Sequence, residues 1–239
     1  MSRIVVPWSA SESLIVFVLA WIGAPVLVVV ILRLLAADIP LFGFILNAYK
    51  NGDITTSFIF AAINAAASLA IVAFYLRKYQ ARWHDVGWRS FNVLKAILFL
   101  AGAFILFVIL ATVAFVIIQR LIPAFNAHQP QVNEFTSPST PLAKQLSLIA
   151  LVLLPPIVEE TVFRGFIFPA LSKWKGALVG AVLTSLLFGF AHLQFNVSLY
   201  TLILSLLLCY MYYRLRSIWP GIFLHMINNY IAYMALIKK

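Results

Sequence analysis

This sequence predicts an all-α, polytopic transmembrane bundle of about seven helices, within a range of six to eight, enclosing a polar cavity, and three observations predict it. Of its 239 residues, 64% are hydrophobic and 10% charged, with a mean hydropathy of +1.01. Such a chain has too little polar surface to coat a soluble globule. Seven runs of about 17–25 residues are nearly free of charge, long enough to cross a hydrocarbon core as helices. The basic residues gather in alternate connections between those runs.

The first span, at about 11–33, lacks the small-residue cleavage site of a signal peptide and is too long in its apolar part, so it is expected to remain as an anchor with nothing removed. Residues 41–48 are apolar over about one third of a spanning length, which reads as an interfacial or re-entrant turn rather than an eighth helix. Further spans are expected at about 55–76, 96–119, 145–168, 176–194, 197–213 and 218–237. The connection 121–143 holds Pro123, Pro130, Pro138 and Pro141 and reads as a loop that caps the bundle from outside. Trp219-Pro220-Gly221 opens the last span, where a proline in the first turn has no need of its missing N–H. No internal repeat and no soluble segment able to fold around its own core is found, so 1–239 reads as a single membrane domain.

With the N-terminus inside, the cytoplasmic side holds Arg3, then Arg77, Lys78, Arg82, Arg89 and Lys95, then Arg164, Lys173 and Lys175, and finally Arg214 and Arg216. The other side holds Arg33, Lys50, Arg120, Lys144, Lys238 and Lys239, so 11 of the 17 basic residues lie inside and the expected topology is N-in, C-out. The net charge of +10 is thereby a topological signal and does not point to nucleic acid. The same holds for the basic stretch 77–95, although it could also attract anionic lipid or an acidic substrate segment. Trp83, Trp88, Trp174 and Trp219 fall near span ends, where amphipathic rings favour the interface. Cys209 is the single cysteine, which excludes a disulfide framework or thiolate cluster within one chain and leaves packing as its role.

Only seven residues are acidic, yet Glu159 and Glu160 stand side by side in an apolar stretch. A carboxylate in hydrocarbon costs several kcal/mol, so such groups face a protein interior or a wet cavity and are paired or functional. Glu160 and Arg164 are spaced i, i+4 and can form a charge pair. Glu159 points about 100° away on an α-helix and is the freer carboxylate, suited to a general base. Pro155-Pro156, one turn earlier, removes two backbone donors and is expected to kink or unwind the helix there.

Two further groups lie on later spans. Phe188-Gly189-Phe190-Ala191-His192 places a histidine near a span end, and in His225-Met226-Ile227-Asn228-Asn229 the side chains of His225 and Asn229 share one face. Taken singly, each reads as interhelical packing or glue. From the inner span ends at 1.5 Å per residue, Glu159 lies roughly 18 Å deep, His192 roughly 26 Å, and His225 and Asn229 roughly 12 and 18 Å, so all fall within the bilayer. Protonatable groups and an amide from three helices at overlapping depth are what a buried reaction centre needs.

These residues resemble the CAAX-protease and bacteriocin-processing (CPBP, or Abi) group of intramembrane endopeptidases, which includes the type II CAAX prenyl endopeptidases. The pattern EExxxR, FxxxH, HxxxN is matched by Glu159-Glu160 with Arg164, by Phe188 with His192, and by His225 with Asn229, in order on successive spans. The resemblance covers about 145–232, and the stretch from Trp83 to Arg89 looks like the short element found upstream in that group. It implies hydrolysis of a peptide bond in a membrane-associated substrate, prenylated CAAX-type, pheromone or bacteriocin-like. In that implied scheme Glu159 and His192 activate a water, His225 and Asn229 stabilise the oxyanion, and Glu160, Arg164 and Phe188 support the site. No cofactor is expected, although Glu159, His192 and His225 form an alternative zinc set. The absence of HExxH weighs against zinc.

The expected partners are a peptide or protein substrate and the lipid bilayer, with no nucleic acid and the oligomeric state left open. A short multi-pass chain of this kind suits a prokaryotic cell membrane. Two other classes stay open: a non-enzymatic membrane scaffold or regulator, and a transporter that uses its intramembrane ionisable groups as an ion path. A complete motif set weighs against the first, and the lack of a repeated half against the second.

Overall fold

Side-chain caps set where several helices begin. Ser9 accepts from the Glu12 backbone N–H at 3.2 Å while the Glu12 carboxylate accepts from the Ser9 N–H at 2.9 Å, a reciprocal capping box. Asp53, Asn92 and Thr140 each accept from the backbone N–H three residues on. The computed structural model of the protein describes residues 5–123 and 138–237. Arg3, Lys238, Lys239 and the middle of the proline-bearing connection, with Pro130, lie outside the described residues.

Eight helices and no strand occur among the described residues: α1 (Ala10–Asp38), α2 (Pro40–Lys50), α3 (Ile54–Lys78), α4 (Val93–Leu121), α5 (Pro141–Lys175), α6 (Ala177–Phe190), α7 (Phe195–Leu215) and α8 (Trp219–Ile237). Helices α1, α3, α4, α5 and α7 are long and apolar enough to cross a membrane. The two other expected spans are helical but fall short of that standard. Helix α6 has 14 residues, about 21 Å of rise. Helix α8 has 19 residues, and His225, Asn228 and Asn229 dilute its apolar character. Residues 41–48 do not form a mere turn: Pro40 opens an 11-residue helix, α2, too short to span.

Helix α5 is the central element, with half of its apolar window buried against 17% for α4. Its partners include α3, α6 and α8, and the outward faces of α1 and α4 expose leucine, isoleucine and valine, a surface suited to lipid. Pro155-Pro156 does not unwind α5. The chain stays helical, with widened π-helical turns on either side of the prolines, at Ile149–Leu153 and Glu160–Ile167.

One end of the bundle gathers the N-terminal segment, the 79–92 connection and the α7–α8 turn. Trp8 is fully buried, stacks on Phe166 at 4.4 Å and donates its indole N–H to the Phe166 carbonyl at 2.9 Å. Lys173 donates to the Val6 carbonyl, and Glu12 accepts from Lys78 and from the Tyr79 hydroxyl. The Glu12 carboxylate holds that phenol above its ordinary value. Trp83–Val86 forms a single 3₁₀ turn closed by Gly87 at φ +89°, where an added Cβ would sit 2.7 Å from the Tyr212 ring. The Gly87 carbonyl accepts from Ile218 N–H at 3.0 Å, the Arg89 side chain donates to the Arg216 carbonyl, and Ser217 donates to the Arg89 carbonyl. The stretch 83–89 is thus a clasp across the α7–α8 turn.

The clasp revises the expected role of two tryptophans. Trp83 and Trp174 are exposed near helix ends, as interfacial anchors are. Trp88 and Trp219 instead pack edge-to-face on each other at 5.1 Å, and Trp88 donates to the Thr161 hydroxyl on α5 at 3.1 Å. Cys209 is fully buried, in keeping with packing.

Candidate active site

Helix α8 runs antiparallel to α5 and fastens to it through every fourth residue. His225 Nδ1 lies 3.1 Å from Glu160 Oε1, Asn229 Nδ2 donates to the Leu151 carbonyl at 3.0 Å, and the Tyr233 hydroxyl donates to the Lys144 carbonyl at 2.9 Å. The middle rung follows from the sequence of α5. In an α-ladder the Leu151 carbonyl would accept from residue 155 and in a π-ladder from residue 156, and both are prolines without an N–H. The carbonyl is left over by either ladder, and the Asn229 amide takes it.

Glu160 and Arg164 form the expected pair, Nη1 to Oε1 at 2.9 Å, and both are wholly buried. Arg164 is therefore a core residue and not one of the loop charges counted toward topology, which leaves ten basic residues against six. Its guanidinium lies over the Phe188 ring at 4.5 Å. Beside Glu160, Gly221 on α8 has no side chain, and an added Cβ there would sit 2.9 Å from Glu160 Oε2. Gly221→Ala is expected to push that carboxylate off its two partners, with a loss of about 1–3 kcal/mol of stability read from thermal unfolding in detergent.

Glu159 stands apart from this pair, with a side chain 16% exposed. Its Oε2 makes no hydrogen bond and lies 3.7 Å from His225 Nε2. One imidazole therefore sits between the two glutamates. A carboxylate can only accept, so His225 Nδ1–H donates to Glu160 and Nε2 is turned to Glu159.

His192 lies in the turn after α6, which ends at Phe190, short of the expected span to 194 because Leu193 at φ +55° reverses the chain toward α7. Its Nδ1 is 2.8 Å from the Phe188 carbonyl, so the proton is on Nδ1 and the Nε2 lone pair is free. Among the described residues no hydrogen bond or ion pair joins His192 to Glu159. His192 is instead related to His225 through Phe188, fully buried, whose ring meets His192 at 5.0 Å and His225 at 5.8 Å.

The structure thus brings Glu159, Glu160, Arg164, Phe188 and His225 into one cluster, with His192 against its phenylalanine wall and Asn229 one turn beyond His225. No three His, Cys, Asp or Glu side chains among the described residues are grouped to hold a metal ion. Sequence reasoning passed over Asn228, Tyr200 and Gly221. The donors missing at Pro155-Pro156 were the signal from which the Leu151 contact could have been found.

Residues 141–231 match the family model described as "Type II CAAX prenyl endopeptidase Rce1-like". Over those residues, 91 of the chain's 239, the sequence is similar to the Rce1-like family. A Bacillus subtilis (strain 168) protein named "Putative membrane peptidase YdiL" is 30% identical over 95 residues, which is 39% of this chain and 39% of that protein. The similarity thus spans well under half of the relative's length. No solved structure matches. The Rce1-like segment contains the whole cluster, from the Leu151 carbonyl to Asn229, whereas the Trp83–Arg89 clasp and α1 to α4 lie before it.

Proposed function

We propose that this chain is an intramembrane endopeptidase that hydrolyses a peptide bond in a membrane-associated substrate, prenylated CAAX-type, pheromone or bacteriocin-like. The observation that carries the proposal is the asymmetry of the two glutamates, one locked by Arg164 and His225, the other with an oxygen free of hydrogen bonds beside the same imidazole.

Glu159 takes a proton from water as the oxygen attacks the scissile carbonyl carbon, and the His192 Nε2 lone pair accepts a second hydrogen bond from that water. The carbonyl oxygen becomes an anion, which His225 and Asn229 meet with N–H groups. His225 can do so only with a proton on Nε2 as well as Nδ1, and Glu160 accepts the first of these. Asn229 has one N–H beyond that held by Leu151. Glu159 then returns the proton to the leaving nitrogen as the C–N bond breaks, giving a carboxylate and an amine. Glu160, Arg164 and Phe188 hold the imidazoles in place. Water activation needs no metal in this scheme, and N-in, C-out remains the proposed topology.

The test is cleavage of a peptide panel, with and without a prenyl group, by purified wild type and His192→Ala, alongside solute uptake into sealed vesicles. Cleavage by wild type, lost in a folded His192→Ala protein, supports the protease. A wild type that cleaves nothing and moves no solute favours a scaffold, and uptake favours a transporter.

A further inference from the structure

Beyond Asn229 the polar contacts continue in one direction. Asn228 Nδ2 donates to Asn229 Oδ1 at 3.3 Å, and the Tyr200 hydroxyl on α7 donates to Asn228 Oδ1 at 2.7 Å. The Tyr200 ring is itself set edge-to-face on Phe107 of α4 at 4.5 Å. The direction of every bond follows from the far end. The Leu151 carbonyl can only accept, so the Asn229 amide must present nitrogen to it and oxygen to Asn228. Asn228 must then present nitrogen to Asn229 and oxygen to Tyr200, which leaves the phenol as donor.

An asparagine amide has one acceptor and two N–H groups. At Asn229 the acceptor is held by Asn228 and one N–H by Leu151, so the amide can neither flip nor swing. Its remaining N–H has a fixed direction. We propose that Tyr200 and Asn228 are positioning residues that aim this N–H at the developing oxyanion, with the Leu151 carbonyl freed by Pro155-Pro156 as the terminus. The proposal rests on the protease reading above, and it makes α7 and, through Phe107, α4 part of the active-site support. No motif residue lies on α7.

Tyr200→Phe removes one oxygen and keeps the ring. The expected result is a kcat lowered roughly 10- to 100-fold with KM little changed, the usual effect of removing a group that orients a reacting one. A merely structural role would lower activity by the same factor in any background, so Tyr200→Phe is also made in Asn229→Ala. The proposal requires that it then have little further effect. Side-chain amide resonances of ¹⁵N-labelled protein give a reading free of turnover: Tyr200→Phe should shift those of both Asn228 and Asn229. Equal losses in the two backgrounds, an unchanged kcat, or a shift confined to Asn228 would overturn the positioning role while the protease stands. A wild type that cleaves no peptide removes the protease reading, and the role with it.

Discussion

Glu159→Gln lowers the rate of peptide cleavage by roughly 10²- to 10⁴-fold, the usual contribution of a positioned general base, while the protein stays folded. The replacement is isosteric and uncharged, Glu159 Oε2 makes no hydrogen bond whose loss would loosen the bundle, and the side chain retains some exposure. The same change one residue on behaves differently. Glu160→Gln halves a wholly buried ion pair and weakens the contact that orients His225, so it is expected to lower yield and unfolding temperature together with activity. Turnover and thermal unfolding measured side by side on the two variants separate the roles of adjacent glutamates.

Arg164→Met is expected to cost about 3–5 kcal/mol of stability, because it leaves the Glu160 carboxylate buried without its cation. The guanidinium also lies over Phe188, so the ring between the two histidines loses its cover. Denaturant unfolding in detergent should show the drop. An unfolding midpoint equal to wild type would mean that Glu160 is neutral, or paired elsewhere. In that case the account of the cluster needs revision.

The membrane class, the helical fold and the Glu160–Arg164 pair were legible because each depends on composition or on spacing within one helix. What was not legible depends on contacts between distant helices. The turn at Leu193 that shortens α6, and the packing of Trp88 against Trp219, are set by partners far along the chain, and no local pattern encodes them. Residues 41–48 do fall short of a span, but a turn underestimates them: Pro40 marks a helix start, which spanning length alone does not reveal. The depth estimate gave Glu159 and Asn229 the same level, but it cannot say which backbone group an amide will meet. In the structure Asn229 answers a carbonyl eight residues before Glu159, because two consecutive prolines left it without a donor.

The most direct measurement is cleavage of a prenylated and an unprenylated peptide by purified wild type, by wild type treated with a strong chelator, and by Glu159→Gln. Cleavage that survives the chelator and disappears in the variant is the predicted result. Cleavage retained by folded Glu159→Gln, or abolished by the chelator and restored by added zinc, would contradict the account.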